Sequence, residues 1–254
     1  MEERNQQIQS FFDRQSLRYK YNLSDKKPYQ RYFNQDRLTL ATRRLNLEGA
    51  KILDIGAGAG FLYDYLLKQN HKVEYYASDL SLKMLQSSNI SPQRYQVGPI
   101  YSVEAWNGKQ FDYIFLLGVT TYMSKEEWGK NLSWIGQHLK DNNARLIVSF
   151  TNEKALSNRF RLLLSRWLRI KKEDRVLFLS NGVQCFTMKE AQLMASKYGF
   201  ELEESQFFNF SFFPFNKLFP RFSIFLSKQL SKRAQIFWSG RLASDFLLVF
   251  RLPS

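Results

Sequence analysis

The sequence predicts an α/β protein built on a mostly parallel sheet. Three observations carry this reading. Between residues 51 and 150, short apolar runs alternate with stretches of helical periodicity, the pattern of strands joined by right-handed helical crossovers. The first apolar run, within KILDIGAGAGFL (51–62), ends in a glycine-rich turn that opens a helix. The second ends in an acidic residue, Asp79, about 25 residues beyond Asp54.

Taken in order, residues 1–46 read as amphipathic helix with a break at Lys27-Pro28. Tyr19, Tyr21, Tyr29, Tyr32 and Phe33 cluster there with Arg18, Lys20 and Arg31. Because this segment precedes the first strand, it is read as an appendage to the core, with 47–254 as the main domain. Strand one is 51–55, with a helix over 61–69. Strand two is 73–78 (VEYYAS), with a short helix over 82–87. A weak third strand spans 95–97 and a strong fourth 111–117 (FDYIFLL), followed by a helix over 125–139 and a fifth strand over 145–150. FELEESQFF (200–208) and DFLLVFRL (245–252) supply the sixth and seventh strands. The 36 residues between them, 209–244, are far too many for a hairpin loop, and 151–187 forms a second insertion.

The turn itself says what it holds. Gly56, Gly58 and Gly60 alternate with Ala57 and Ala59, leaving almost no side chain between backbone and ligand. A helix N-terminus behind such a turn suits an anionic or nucleotide-like ligand. The spacing is GxGxG, however, not the GxGxxG of dinucleotide sites. Asp54 stands just before it, where a carboxylate repels a pyrophosphate but can orient a cation or water near an amino-acid moiety. Together these residues resemble the first motif of class I S-adenosylmethionine-dependent methyltransferases of the small-molecule type.

That resemblance implies a Rossmann-like, seven-stranded sheet with an antiparallel last strand and helical lid insertions. It also implies S-adenosylmethionine as methyl donor and S-adenosylhomocysteine as product. On it, Asp54, Gly56, Ala57, Gly58 and Gly60 carry over as cofactor-binding. ASDLSLKML matches the family pattern after strand two, making Asp79 the ribose contact and Leu80 an adenine contact. FDYIFLLGVTTYM matches a third motif, so Leu117 and Gly118 line the cofactor, and Thr121 and Tyr122 fall beside the acceptor. Tyr122 is the candidate for acceptor deprotonation. In the resembled family a segment placed like 1–46 often caps the active site, so 1–46 is expected to be a helical cap, with Tyr32 as the further substrate contact. The chain departs from the family in two places. Pro99 and Ile100 stand where many members have an aspartate near the adenine, giving shape contact only. Thr121 stands where several members carry a histidine, while His71 and His138 lie elsewhere.

Composition bounds the rest. The net charge is +14 over 254 residues, placed as +5 in 1–46, +6 in 154–175 and +6 in 209–244, which leaves −3 for the remainder. Such asymmetry points to an anionic partner. Residues 158–170 and 220–237 read as helices with a basic face beside an apolar one: Lys217, Arg221, Lys228 and Lys232 against Phe222, Phe225, Leu226 and Leu230 in the second. That pattern suits an amphiphilic, anionic substrate or peripheral contact with an anionic membrane. One cysteine, Cys185, excludes an internal disulfide framework, and neither a signal-like N-terminus nor a spanning apolar run is present, so the expected location is cytoplasmic. Metal-ligand spacing and an RNA-binding module are both lacking, and nucleic acid is not the expected partner. The expected activity is transfer of a methyl group, at oxygen, to a small or lipid-like, anionic metabolite. An RNA or protein acceptor and a non-catalytic cofactor-fold protein are the alternatives.

Overall fold

A computed structural model describes residues 2–19, 27–102, 104–160, 184–211, 215–232 and 239–253. Seven strands form one sheet: β1 (Lys51–Ile55), β2 (Glu74–Asp79), β3 (Tyr95–Val97), β4 (Tyr113–Leu116), β5 (Arg145–Thr151), β6 (Glu201–Phe208) and β7 (Asp245–Arg251). Their spatial order is β3-β2-β1-β4-β5-β7-β6. Strands β1 to β5 pair in parallel, and β7 runs antiparallel to both β5 and β6. The expected mostly parallel sheet with an antiparallel last strand is what the chain forms.

Each strand lies within two residues of its expected bounds. The largest change is β4, which starts at Tyr113 because Phe111 leaves the ladder to bridge Leu139 after the following helix. Strand β2 runs one residue further than expected, so Asp79 is its last residue.

Helices cover both faces. On one side α5 (Lys125–His138) and α6 (Met188–Ser196) bury Trp128, Leu132, Ile135, Ala191 and Ala195 against Phe150, Phe186, Phe246 and Phe250. Helix α5 starts at a capping box in which Ser124 accepts from the Glu127 backbone and Glu127 accepts from the Ser124 backbone. Helix α6 is not among the elements expected from the sequence, although Thr187 caps it by accepting from the Glu190 N–H. On the other side α3 (Phe61–Lys68) and α2 (Pro28–Thr42) bury Leu62, Leu66, Leu38 and Ala41 against Ile52, Phe115, Ile147 and Leu247.

Three further pieces sit at the C-terminal edge of the parallel strands. Helix α1 (Glu2–Tyr19) lies over α4 (Leu82–Gln86), where Ser81 donates to Asp13 at 2.5 Å. Helix α2 lies beside the end of β6, with the Phe33 ring stacked on Phe208 at 5.9 Å. Between β6 and β7 come α7 (Phe215–Leu218), α8 (Pro220–Lys232) and α9 (Ser239–Leu242). Residues 161–170 of the first basic helix expected from sequence lie outside the described residues, as do Lys20 and Tyr21. Among the described residues no helix is long and apolar enough to cross a membrane.

Candidate active site

Strand order locates the site. From β1 the chain moves outward to β2 and β3, then returns to β4 on the other flank of β1. The loops leaving β1 and β4 therefore part company above the sheet and open a crevice at their C-terminal ends. A cavity of about 920 Å³ fills that crevice, within the range of small-molecule sites.

The β1 turn forms its floor. Gly56 has φ 75°, and a Cβ there would lie 2.4 Å from Val119 Cγ2, so Val119 packs against the turn at the base of the crevice only because residue 56 has no side chain. The Gly56 and Ala57 amides both donate to Ser78 O, at 2.7 and 3.0 Å, tying the turn to the end of β2. The Asp79 carboxylate completes this corner. It accepts from the Gly58 N–H and the Ser81 N–H, each at 2.8 Å, while bordering the cavity. Burial raises its pKa to about 6, against the pull of the Ser81, Gly58 and Leu80 amides. Asp54 lies beneath the turn and is buried. It accepts from the Tyr75 hydroxyl at 2.6 Å, and burial raises its pKa to about 7 despite that bond.

Two N-terminal helices form the roof. Phe12 meets Tyr122 edge-on at 5.2 Å, and Tyr19 stacks on Phe61 at 5.5 Å. Arg37 of α2 reaches across to the β4 loop, where its guanidinium occupies the space above Gly118: a Cβ at 118 would lie 2.3 Å from Arg37 Nη1. Asn34 Oδ1 accepts from Arg37 Nη2 at 2.9 Å, but Arg37 Nε has no partner. Among the described residues Arg37 forms no ion pair, and burial lowers its pKa.

Beyond Tyr122 the cavity becomes polar. Thr121 and Thr151 share a hydrogen bond of 2.8 Å, and Tyr29 donates to Asn209 Oδ1 at 3.0 Å, which in turn holds Asp245 through its amide at 2.5 Å. Asn158 from one insertion and Asn216 and Lys217 from the other also face this chamber. All three basic segments singled out in the sequence thus contribute to one cavity.

Residues 53–145 match the family model described as a methyltransferase domain. The fold of the chain is that of class I S-adenosylmethionine-dependent methyltransferases. Its fold is similar to that of magnesium protoporphyrin IX methyltransferase from Synechocystis with bound S-adenosylhomocysteine: TM-score 0.65, 15% identity, 97% of this chain and 98% of that one. It is similar also to the putative methyltransferase complexed with the Trm112 methyltransferase activator in Haloferax volcanii, at TM-score 0.64 and 15% identity over 96% and 98% of the two chains. A TehB-like S-adenosylmethionine-dependent methyltransferase from Corynebacterium glutamicum aligns at TM-score 0.54 and 17% identity over 96% and 99%. These likenesses speak to fold. No curated protein matches the chain.

Of the residues singled out from sequence, the fold brings Gly56, Gly58, Asp79, Leu80, Pro99, Ile100, Leu117, Gly118, Thr121 and Tyr122 to the cavity wall. Ala57 and Gly60 shape the turn from outside the lining, and Asp54 sits below it. Tyr32 is also outside the lining. It faces α8, donating to Ser227 Oγ at 3.4 Å, and Tyr29 is the tyrosine of α2 that reaches the cavity. His138 is buried on the far side of the sheet, stacked on Trp134 at 3.6 Å.

Sequence reasoning missed Arg37 and the aromatic residues of α1. A signal for Arg37 was present: it shares a helix face with Asn34, Leu38 and Ala41, where an arginine is out of place unless it has a task. Nothing local marked Phe12, whose role follows from where α1 lands.

Proposed function

We propose that this methyltransferase moves a methyl group to oxygen on a small, amphiphilic acceptor held in the polar chamber between Tyr122 and Asp245. The observation that carries this reading is the cavity. One end is the glycine turn with Asp79, the other is lined by Thr121, Thr151, Asn209 and Ser211, and α1 and α2 cover both. A roofed site with aromatic walls and a polar end suits a small molecule with an apolar body better than a polymer.

The residues present fit S-adenosylmethionine. The cradle at Gly56 and Gly58 lacks side chains, and Asp79 offers carboxylate oxygens beside the cavity to ribose hydroxyls. Arg37, which lines the cavity and forms no ion pair among the described residues, offers charge-assisted bonds to the donor's carboxylate. When bound, the donor supplies an already activated methyl group, so the chain's work is to bind, orient and keep out water. Leu80, Pro99 and Ile100 give the adenine a shaped apolar slot. Phe12 and Tyr19 close the roof. Burial raises Tyr122 to about 12, so it keeps its proton at neutral pH and serves as a donor and wall rather than a base.

The test is calorimetry with S-adenosylmethionine and S-adenosylhomocysteine, followed by transfer of labelled methyl to a panel of amphiphilic hydroxy acids. Binding that vanishes in Asp79→Ala, with label appearing in an oxygen ester or ether, is the expected outcome. Label incorporated only into RNA or protein, with steep salt dependence for RNA, would replace the small-molecule reading.

A further inference from the structure

We propose that the outward face of α7 and α8 is a docking surface for an anionic lipid bilayer. Helix α8 sits on the protein the wrong way round for an ordinary lid. Its buried residues are serines, Ser223 and Ser227, the latter accepting from Tyr32 of α2 at 3.4 Å. Its aromatic residues face outward, with Phe222 63% and Phe225 58% exposed. Phe215, Leu218 and Phe219 continue this apolar strip through α7 and the joint between the helices, each more than half exposed. Contiguous exposure of this kind marks an interaction surface, since each ring would otherwise be turned inward.

Charge selects the occupant. Arg221, Lys228 and Lys232 lie on one flank of the strip, all exposed, and residues 209–244 contain six Lys or Arg and no Asp or Glu. An aromatic strip edged by cations alone is how a helix lies in the headgroup region of an anionic bilayer. Position supports the same occupant, because Asn216 and Lys217 of α7 line the cavity, so the strip adjoins the site. Docking stands on this geometry whatever the acceptor proves to be.

The experiment is co-sedimentation of the whole protein with phosphatidylcholine vesicles, with and without phosphatidylglycerol. Binding is expected only with the anionic lipid and is expected to weaken with salt. Phe222→Ser with Phe225→Ser should reduce it on the order of tenfold or more, and Arg221→Gln with Lys232→Gln should reduce it on the order of tenfold and flatten the salt dependence. Leu193→Ser, at an exposed position on α6, is the control expected to bind as wild type. Calorimetry with S-adenosylhomocysteine reports whether each variant keeps its fold and cavity. No binding of the wild type to anionic vesicles overturns the proposal. So does binding that the paired Phe variant leaves unchanged, which would assign the patch to charge alone and an acidic partner. A concentration-dependent dimer abolished by the Phe variant, without vesicle binding, would assign it to a second copy and overturn the proposal equally.

Discussion

The guanidinium of Arg37 occupies the space that a side chain on Gly118 would need, with 2.3 Å between Nη1 and a Cβ built at that position. A residue of the cap and a residue of the β4 loop are thereby fitted to each other across the cavity. Gly118 has φ 81°, so an alanine there would be strained as well as displacing the arginine. Gly118→Ala should weaken binding of S-adenosylmethionine on the order of tenfold or more, measured by calorimetry. Unchanged affinity would show that the placement of Arg37 is irrelevant to the donor.

Removing Arg37 separates binding from stability. Its charge is enclosed and forms no ion pair among the described residues, so it is a cost to the ligand-free fold. Arg37→Met should leave the ligand-free Tm equal or higher while lowering donor affinity on the order of tenfold to a hundredfold. A fall in both would mark the residue as structural.

Asp79 sets a pH limit on donor binding. In the proposed assignment the ionised carboxylate accepts from both ribose hydroxyls, and burial raises its pKa to about 6. Donor affinity should therefore fall as pH drops below about 6, approaching tenfold per pH unit. In Asp79→Asn it should be weak and nearly flat across that range. Titration calorimetry over pH reads both, and a wild-type profile as flat as the variant's would refute the assignment.

Asp54 makes the opposite kind of contribution. Its pKa rises from 3.8 in the ordinary case to about 7 in the fold, because burial outweighs the bond from Tyr75. The native state binds the extra proton between those values, so the associated stability is full below about 3.8 and is lost as pH rises through about 7. Asp54→Asn stays neutral and can still accept from Tyr75. Its Tm advantage over the ligand-free wild type should grow between about pH 5 and about pH 7 and then level off. A constant difference at every pH would show that Asp54 is not the titrating group.

Gly56 tests the floor of the site. An alanine methyl there would collide with Val119 Cγ2, and the residue would also be held at positive φ. Gly56→Ala should destabilise by about 1–3 kcal/mol, read by urea unfolding. Adding Val119→Ala should restore the part due to collision and leave the part due to φ. No rescue at all would place the whole cost in backbone strain.

By itself, the sequence determined the sheet and the floor of the site. Strands such as ILDI and IFL read plainly because each is buried along its length, and GAGAG with Asp79 read plainly because a turn and the strand end beside it are set within about 25 neighbouring residues. Tertiary structure alone decided the roof. Arg37 faces Gly118, Phe12 faces Tyr122, and Tyr29 rather than Tyr32 reaches the cavity, because α1 and α2 are placed by packing against segments up to 180 residues away, as in Tyr29 with Asn209. The orientation of α8 was likewise undecided by its pattern. Its periodicity separates an apolar face from a basic one, but which face turns inward depends on what it meets, and here it meets Tyr32 with Ser223 and Ser227 facing in.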